Sequence, residues 1–96
     1  MSDEFEVTDA PDAGRFELRR GGELVGFASY RSRDGGVVVP HVETLVQHRG
    51  QGYASRLMAG IVAILRRDGR TIVPLCPFAA DYLRERPEDA DVVHSD

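Results

Sequence analysis

Three features of the sequence combine residue types that could bind or transform a ligand. The first is the segment Arg49-Gly50-Gln51-Gly52-Tyr53-Ala54, which lies between a β-branched apolar stretch and an amphipathic one. Two glycines just before a helix leave backbone N–H groups at the positive end of the helix dipole, where a phosphate or pyrophosphate binds well. The segment lacks the lysine and Ser/Thr of a nucleotide P-loop, so it predicts a phosphate held without a metal ion. The alternative is that the glycines only permit a tight turn from strand to helix.

The second feature is Cys76, the one cysteine of the chain, which excludes an internal disulfide and a multi-cysteine metal site. It lies between a short β-branched stretch and a predicted helix that begins at Pro77, close to the helix N-cap. A helix N-terminus stabilises thiolate and so lowers the pKa of a thiol. The thiolate could take an acyl group from a thioester or help to deprotonate an amine. The alternative is a small buried hydrophobic residue.

The third feature is the pair His41 and Glu43, two residues apart on a predicted strand and hence on one face of it. An imidazole beside a carboxylate could remove the proton of an ammonium group, directly or through water. Both side chains could equally lie on a solvated sheet face. Together with Cys76 they form the one plausible metal cluster, and a single thiol does not make a zinc site, so we predict no metal.

The surrounding elements follow from hydrophobic periodicity. From Gly52 to Asp68 one helical face is apolar, and Gly69 is suited to end that helix. Gly21-Gly22 between two alternating stretches predicts a hairpin, with a second turn over residues 31–36. The stretch from Val37 to Val46 predicts a central strand in which Pro40 is out of place. A short strand over residues 71–75 and a helix over residues 76–86 complete the pattern.

These elements predict an α+β fold with α/β-like features, built on a mostly antiparallel sheet with a β-α-β crossover and a C-terminal helix. The length of 96 residues predicts a single domain over residues 1–96. Residues 1–13 and 88–96 are polar and acidic, and we expect them to be loose termini, although the short alternation at Phe5 and Val7 would also suit a first edge strand.

Charge and hydropathy narrow the function further. The net charge is −4, but residues 49–70 carry five arginines and one aspartate. A basic centre in an acidic protein argues against nucleic-acid binding and favours a small anionic ligand. No apolar run approaches a membrane span and no signal peptide opens the chain, so the predicted location is the cytoplasm, with no membrane partner.

The glycine segment resembles the Arg/Gln-x-x-Gly-x-Gly/Ala signature of the GNAT superfamily of N-acetyltransferases. A longer resemblance, over about residues 15 to 93, is to the small GNAT-like proteins called N-acetyltransferase domain-containing. It rests on His41-Val42-Glu43, Pro74-Leu75-Cys76-Pro77-Phe78, Tyr82-Leu83 and Arg86-Pro87-Glu88. The sequence departs from that family in two places. Val42 and Thr44 vary the usual His-Thr-Glu-Val stretch, and Glu88 follows Arg86-Pro87 where His-Pro is common.

The resemblance implies a minimal GNAT fold that binds acetyl-CoA and transfers acetyl to an amine. The residues that would form the cofactor site are Val46, Arg49, Gly50, Gln51, Gly52, Tyr53 and Ala54, and the backbone amides of Arg49 to Ala54 would hold the pyrophosphate. Cys76 would be the reactive group. His41 and Glu43 are candidate bases because of the chemistry given above, and the resemblance does not add to their case. The acceptor, a small amine or a protein amine, stays open, as does a monomeric or dimeric state. The alternative function is a CoA or acyl-CoA-binding module with little catalysis.

Overall fold

Five strands form one sheet in chain order, β1-β2-β3-β4-β5, in a computed structural model that describes residues 4–94. The strands are β1 (Phe5–Ala10), β2 (Arg15–Arg20), β3 (Glu23–Arg33), β4 (Gly36–Thr44) and β5 (Thr71–Pro74). Neighbouring strands are antiparallel except β4 and β5, which are parallel and joined by helix α1 (Tyr53–Asp68). Helix α2 (Pro77–Arg84) follows β5. The predicted α+β fold with its single crossover is confirmed.

The two faces of the sheet differ because strand residues alternate in direction. On β2, Phe16 and Leu18 are fully buried beneath α1, whereas Glu17 lies on the other face between Arg15 and Arg19. The Arg15 guanidinium, hydrogen-bonded to the carboxylate, is the main cause that lowers the pKa of Glu17. We call the face with Phe16 and Leu18 the helix-covered face, because α1 and α2 lie there in contact with each other. The face with Glu17 is the open face.

Helix α1 covers the sheet with the side that the periodicity predicts. Its buried residues are Tyr53, Leu57, Met58, Ile61, Val62, Ile64 and Leu65. Gly69, with φ 68°, ends the helix in the left-handed conformation that favours glycine. Gly60 lets the helix approach β1, because a Cβ there would lie 2.3 Å from a methyl group of Val7. That contact brings the first strand under the helix.

The strand containing Pro40 is continuous, which resolves the conflict seen in the sequence. Ser29 pairs with His41 but Arg31 pairs with Val38, so β4 has one more residue than β3 in this interval. Pro40 is exposed within this bulge, one of the positions at which a sheet accommodates proline. The turn between the strands is also shorter than predicted, because β3 runs to Arg33 and β4 begins at Gly36.

The prediction of loose termini is wrong for the described residues. Strand β1 pairs with β2 from Phe5 to Ala10 and so forms one edge of the sheet. At the other end a 3-10 helix, Pro87–Val92, buries Val92 to 2% exposure, and Arg66 of α1 binds Asp89 and Asp91. Long-range pairing and ion pairs, which local polarity does not reveal, order both segments. Residues 1–3 and 95–96, included in that prediction, lie outside the described range.

Between residues 4 and 94, neither helix has the length and apolar character required to cross a bilayer.

Candidate functional site

The parallel strands β4 and β5 separate at one point. Their pairing ends at Val39 and Pro74, where the carbonyl oxygen of Val39 accepts the N–H groups of Leu75 at 3.0 Å and of Cys76 at 3.1 Å. Strand β4 continues to Thr44, while the chain after β5 turns into α2. No described strand pairs with this side of β4 beyond Val39. A cleft therefore opens in the sheet between the two strands.

Backbone groups of β4 point into this cleft. The N–H of Leu45 donates to the carbonyl oxygen of Val25, so Leu45 directs its backbone groups toward β3. Because direction alternates along a strand, Val42 and Thr44 direct theirs away from β3, toward the cleft. The Arg49 Nε–H accordingly reaches the carbonyl oxygen of Thr44 at 3.4 Å. This exposed edge offers hydrogen bonds to an extended ligand that contains amides.

The glycine segment lies at the same end of the sheet, because it joins the C-terminal end of β4 to α1. Gly50 and Gly52 have φ values of 81° and 75°, which a side chain would strain. An added Cβ at either position would meet no atom within 4 Å. The glycines are therefore required by the backbone and not by packing, and the space beside them is open.

The backbone N–H groups of this segment are available to an anion. Helix α1 begins after Gly52 and has no side-chain cap. Its first-turn N–H groups, such as those of Tyr53 and Ala54, have no carbonyl partner within the helix. No acceptor among residues 4–94 meets the N–H groups of Gly50 or Gln51. Free donors, open space and the helix dipole fit a pyrophosphate.

The side chains of the segment serve mostly to hold it in place. Tyr53 is buried at 5% exposure, its ring packs edge-on against Phe5 at 5.2 Å, and its hydroxyl accepts an N–H of Arg20 at 2.8 Å. The same hydroxyl donates to Oε1 of Gln51 at 3.1 Å. Ala54 is half-buried. The contribution of these residues to a ligand site is thus through their backbone.

Cys76 is the N-cap of α2 and lies in the hydrophobic core with an exposure of 8%. Its carbonyl oxygen accepts the N–H of Ala80 and its own N–H binds Val39. The position at the strand–helix junction is as expected from the sequence. The burial of its side chain is also what we would expect if Cys76 serves only as a small hydrophobic residue of the core.

His41 and Glu43 meet on the open face. The carboxylate cannot donate, so the Nε2–H of His41 donates to Oε1 of Glu43 at 2.8 Å. In neutral imidazole this leaves Nδ1 as an acceptor for a proton. The side chains are 54% and 39% exposed, and the ring of Phe27 lies 6.2 Å from that of His41.

The structure does not place all three candidate catalytic residues on one side of the sheet. Strand alternation continues past β5, so Cys76 shares the helix-covered face with Ile72, while the exposed Leu75 faces the other way. His41 and Glu43 lie on the open face. The thiol and the His–Glu pair can therefore approach a common ligand only through the cleft between β4 and β5.

Large apolar side chains are exposed near the end of the sheet where the cleft opens. Val46, directly after β4, is 73% exposed, Leu75 is 56% exposed and Phe78 of α2 is 40% exposed. Val46 is one of the predicted cofactor-site residues, whereas no site role was predicted for Leu75 or Phe78, which lie on either side of Cys76 in the sequence. In the part of the chain that the structure describes, no group of His, Cys, Asp or Glu could hold a metal ion.

Comparisons with known proteins agree with this architecture. The model of the family GCN5-related N-acetyl-transferase matches residues 15–92. A GCN5-like protein from Staphylococcus aureus, assigned as an N-acetyltransferase and solved by NMR, is similar with a TM-score of 0.71 and 22% identity over 99% of this chain and 92% of that one. N-acetylglutamate synthase from Neisseria gonorrhoeae, complexed with coenzyme A and N-acetyl-glutamate, has a TM-score of 0.57 and 19% identity. That similarity covers 85% of this chain and 22% of the synthase. No curated protein matches.

Proposed function

Because the chain belongs to the GCN5-related N-acetyltransferases, a family that uses acetyl-CoA, we propose that it transfers acetyl from acetyl-CoA to an amine. The observation that carries this proposal is that the cleft and the free amides of the glycine segment lie at the same end of the sheet. One element suits the phosphates of the cofactor and the other suits its amide-containing arm. The two are linked by residues 45–52, which connect β4 to α1, and within this connection the Arg49 Nε–H reaches the carbonyl oxygen of Thr44 at the edge of the cleft.

The proposed cofactor site uses mostly backbone groups. The amides of residues 50–54 hold the pyrophosphate, aided by the charge of Arg49, whose own N–H donates to the carbonyl oxygen of Val46. The cleft-facing groups of Val42 and Thr44 hydrogen-bond the pantetheine amides, and Val46 supplies apolar contact beside them. The open space beside Gly50 and Gly52 supports this arrangement, because it lets the phosphates of the ligand approach the protein backbone closely.

Acetyl-CoA supplies an activated acetyl group, whose carbonyl carbon bonds to the amine nitrogen while the carbon–sulfur bond breaks and CoA leaves as the thiol. The amine must first lose a proton. We assign that proton to Nδ1 of His41, with Glu43 holding the imidazole through its Nε2–H. The proton released when nitrogen bonds to carbon then neutralises the departing thiolate.

Cys76 offers a second, two-step route for the transfer of acetyl, through a covalent intermediate. The thiolate would take the acetyl group, forming a thioester and releasing CoA, and the amine would then attack that thioester and restore the thiol. The position at a helix N-terminus supports it, whereas burial at 8% exposure supports a packing role. A covalent adduct distinguishes the two.

The acceptor we propose is a small amine, a polyamine or an amine of a protein. No helix of residues 4–94 packs on the open face, where His41 and Glu43 lie, so an acceptor can approach from solvent. The reaction is proposed for the cytoplasm, where acetyl-CoA is present, by a monomer or dimer.

A CoA or acyl-CoA-binding module is the second candidate, favoured by the burial of Cys76 and the solvated His–Glu pair. Both functions require binding, so CoA and acetyl-CoA should raise the melting temperature by linkage. Release of CoA thiol with a panel of amines then separates the two. Turnover above the rate without protein supports the transferase, stabilisation without turnover supports the module, and no stabilisation contradicts both.

A further inference from the structure

The arginines beside the glycine segment differ from most others in their pairing. Ion pairs between residues 4 and 94 with a carboxylate oxygen within 4 Å include those of Arg15, Arg19, Arg66, Arg67, Arg70 and Arg84. Within residues 4–94, Arg49 and Arg56 have no such partner. Since the net charge is −4, two unpaired cations next to one loop make a local positive site in an acidic protein.

Arg56 is held at that loop by two contacts. It lies one helical turn after Gly52, whose carbonyl oxygen accepts its backbone N–H at 3.3 Å. Helical side chains incline toward the N-terminus of their helix, so the Arg56 side chain covers the turn that follows the glycine segment. Its guanidinium carbon lies 4.0 Å from the centroid of the Phe5 ring. This stacking positions the cation without using any of its N–H donors.

The ligand proposed for the loop carries a further phosphate besides its pyrophosphate. CoA has a pyrophosphate and, on the adjoining ribose, a 3′-phosphate, which dephospho-CoA lacks. With the pyrophosphate on the loop amides, the 3′-phosphate lies within one sugar of them. A guanidinium with free N–H donors suits a phosphate dianion, because its planar fork matches two oxygen atoms.

We propose that Arg56, positioned by Phe5, binds the 3′-phosphate of CoA and makes the site select CoA over dephospho-CoA. This inference rests on the proposed function. Phe5 lies outside residues 15–92, the part that the family model matches. The first strand of this chain therefore contributes to cofactor selection through one aromatic ring.

Equilibrium binding of CoA and of dephospho-CoA tests the inference. We expect the unmodified protein to prefer CoA by about three- to tenfold, as for one solvent-exposed charge-assisted contact. Arg56→Gln should weaken CoA to the affinity of dephospho-CoA and leave dephospho-CoA unchanged. Arg33→Gln, which removes the exposed arginine that ends β3 beside the first residue of β4, should keep the preference.

Phe5→Leu tests the positioning role. It should reduce the preference for CoA while dephospho-CoA still binds, whereas a purely structural role through Tyr53 would weaken both ligands equally and contradict that role. Equal affinities in the unmodified protein, or a preference that survives Arg56→Gln, would overturn the inference. Absence of binding by either ligand would instead contradict the proposed function itself.

Discussion

The carbonyl oxygen of Val39 accepts the N–H of Cys76 at 3.1 Å. Within residues 4–94 it is the last backbone hydrogen bond between β4 and the chain that leaves β5, so it marks where the cleft begins. The bond fixes the N-cap of α2 relative to β4. It thus links the one thiol of the chain to the strand that carries His41 and Glu43.

Gly52→Gln should abolish stabilisation by CoA, because the new side chain would enter the open space beside the loop amides. The matched control is Gly14→Gln, since Gly14 has φ 68° and also has no neighbour within 4 Å of an added Cβ. Each substitution should cost about 1–2 kcal/mol of stability through the left-handed backbone. Thermal shifts with and without CoA check this; a retained shift in Gly52→Gln would show the phosphate site to lie elsewhere.

Glu43→Gln should lower the rate of acetyl transfer by about 10²–10⁴-fold, the range for loss of general base catalysis. The amide can still accept the imidazole N–H but no longer favours the imidazolium by charge. Stabilisation by CoA should be unchanged, because the carboxylate lies on the open face. Glu6→Gln, another exposed carboxylate of the sheet, is the control for charge alone. Equal rates in both variants would remove Glu43 from the mechanism.

Cys76→Ala tests the two-step route by intact mass after mixing with acetyl-CoA. The chain has no lysine, since all twelve basic residues other than histidine are arginine, so amide adducts on lysine cannot obscure the result. An adduct of about one acetyl group, labile to hydroxylamine and absent in Cys76→Ala, is expected for a thioester. Turnover without any such adduct would assign Cys76 to the core alone.

Alkaline conditions should destabilise the protein through Tyr30. Burial and the hydrogen bond to Asp9 raise the pKa of Tyr30 to about 12 from 10.0. A group with a raised folded pKa stabilises the fold fully below pH 10, and this contribution is lost as the pH rises to about 12. Urea midpoints over this range should fall more steeply than in Tyr30→Phe. Parallel curves would show that the ionisation of Tyr30 is not linked to folding.

Gly60→Ala should destabilise the protein although alanine favours helices, because its Cβ would lie 2.3 Å from a methyl group of Val7. Overpacking of this kind costs about 1–3 kcal/mol. Val7→Gly removes both the methyl groups of Val7 and its Cβ, which would lie 2.4 Å from the added atom, so in the same chain it should recover part of that loss in a double-mutant cycle from urea unfolding. Additive effects of the two substitutions would mean that α1 does not rest on β1 at this point.

Several elements could be predicted from local sequence because their causes are local. The apolar face of α1 follows from spacing, and the end of that helix follows from the need for a left-handed residue at Gly69. The pair Gly21-Gly22 likewise predicted the hairpin of β2 and β3, because a tight hairpin turn requires residues that tolerate a positive φ. The junction of strand and helix around Gly50 and Gly52 placed the glycine segment correctly.

Other features needed contacts between distant residues. The first strand is ordered by pairing with β2 and by Val7 beneath Gly60, whereas the sequence shows only a short alternation of Phe5 and Val7 among polar residues. The separation of β4 from β5 depends on which strand each residue meets, so the sequence could show only that Pro40 was out of place. The stacking of Arg56 on Phe5 likewise joins residues 51 positions apart.

By itself, the sequence determined the elements, the loop with free amides and the family resemblance, because backbone propensity and periodicity act over a few residues. The tertiary structure alone decided that Cys76 faces the core while His41 and Glu43 face solvent. Side-chain direction across a sheet depends on strand pairing and register, which are set by burial over the whole chain.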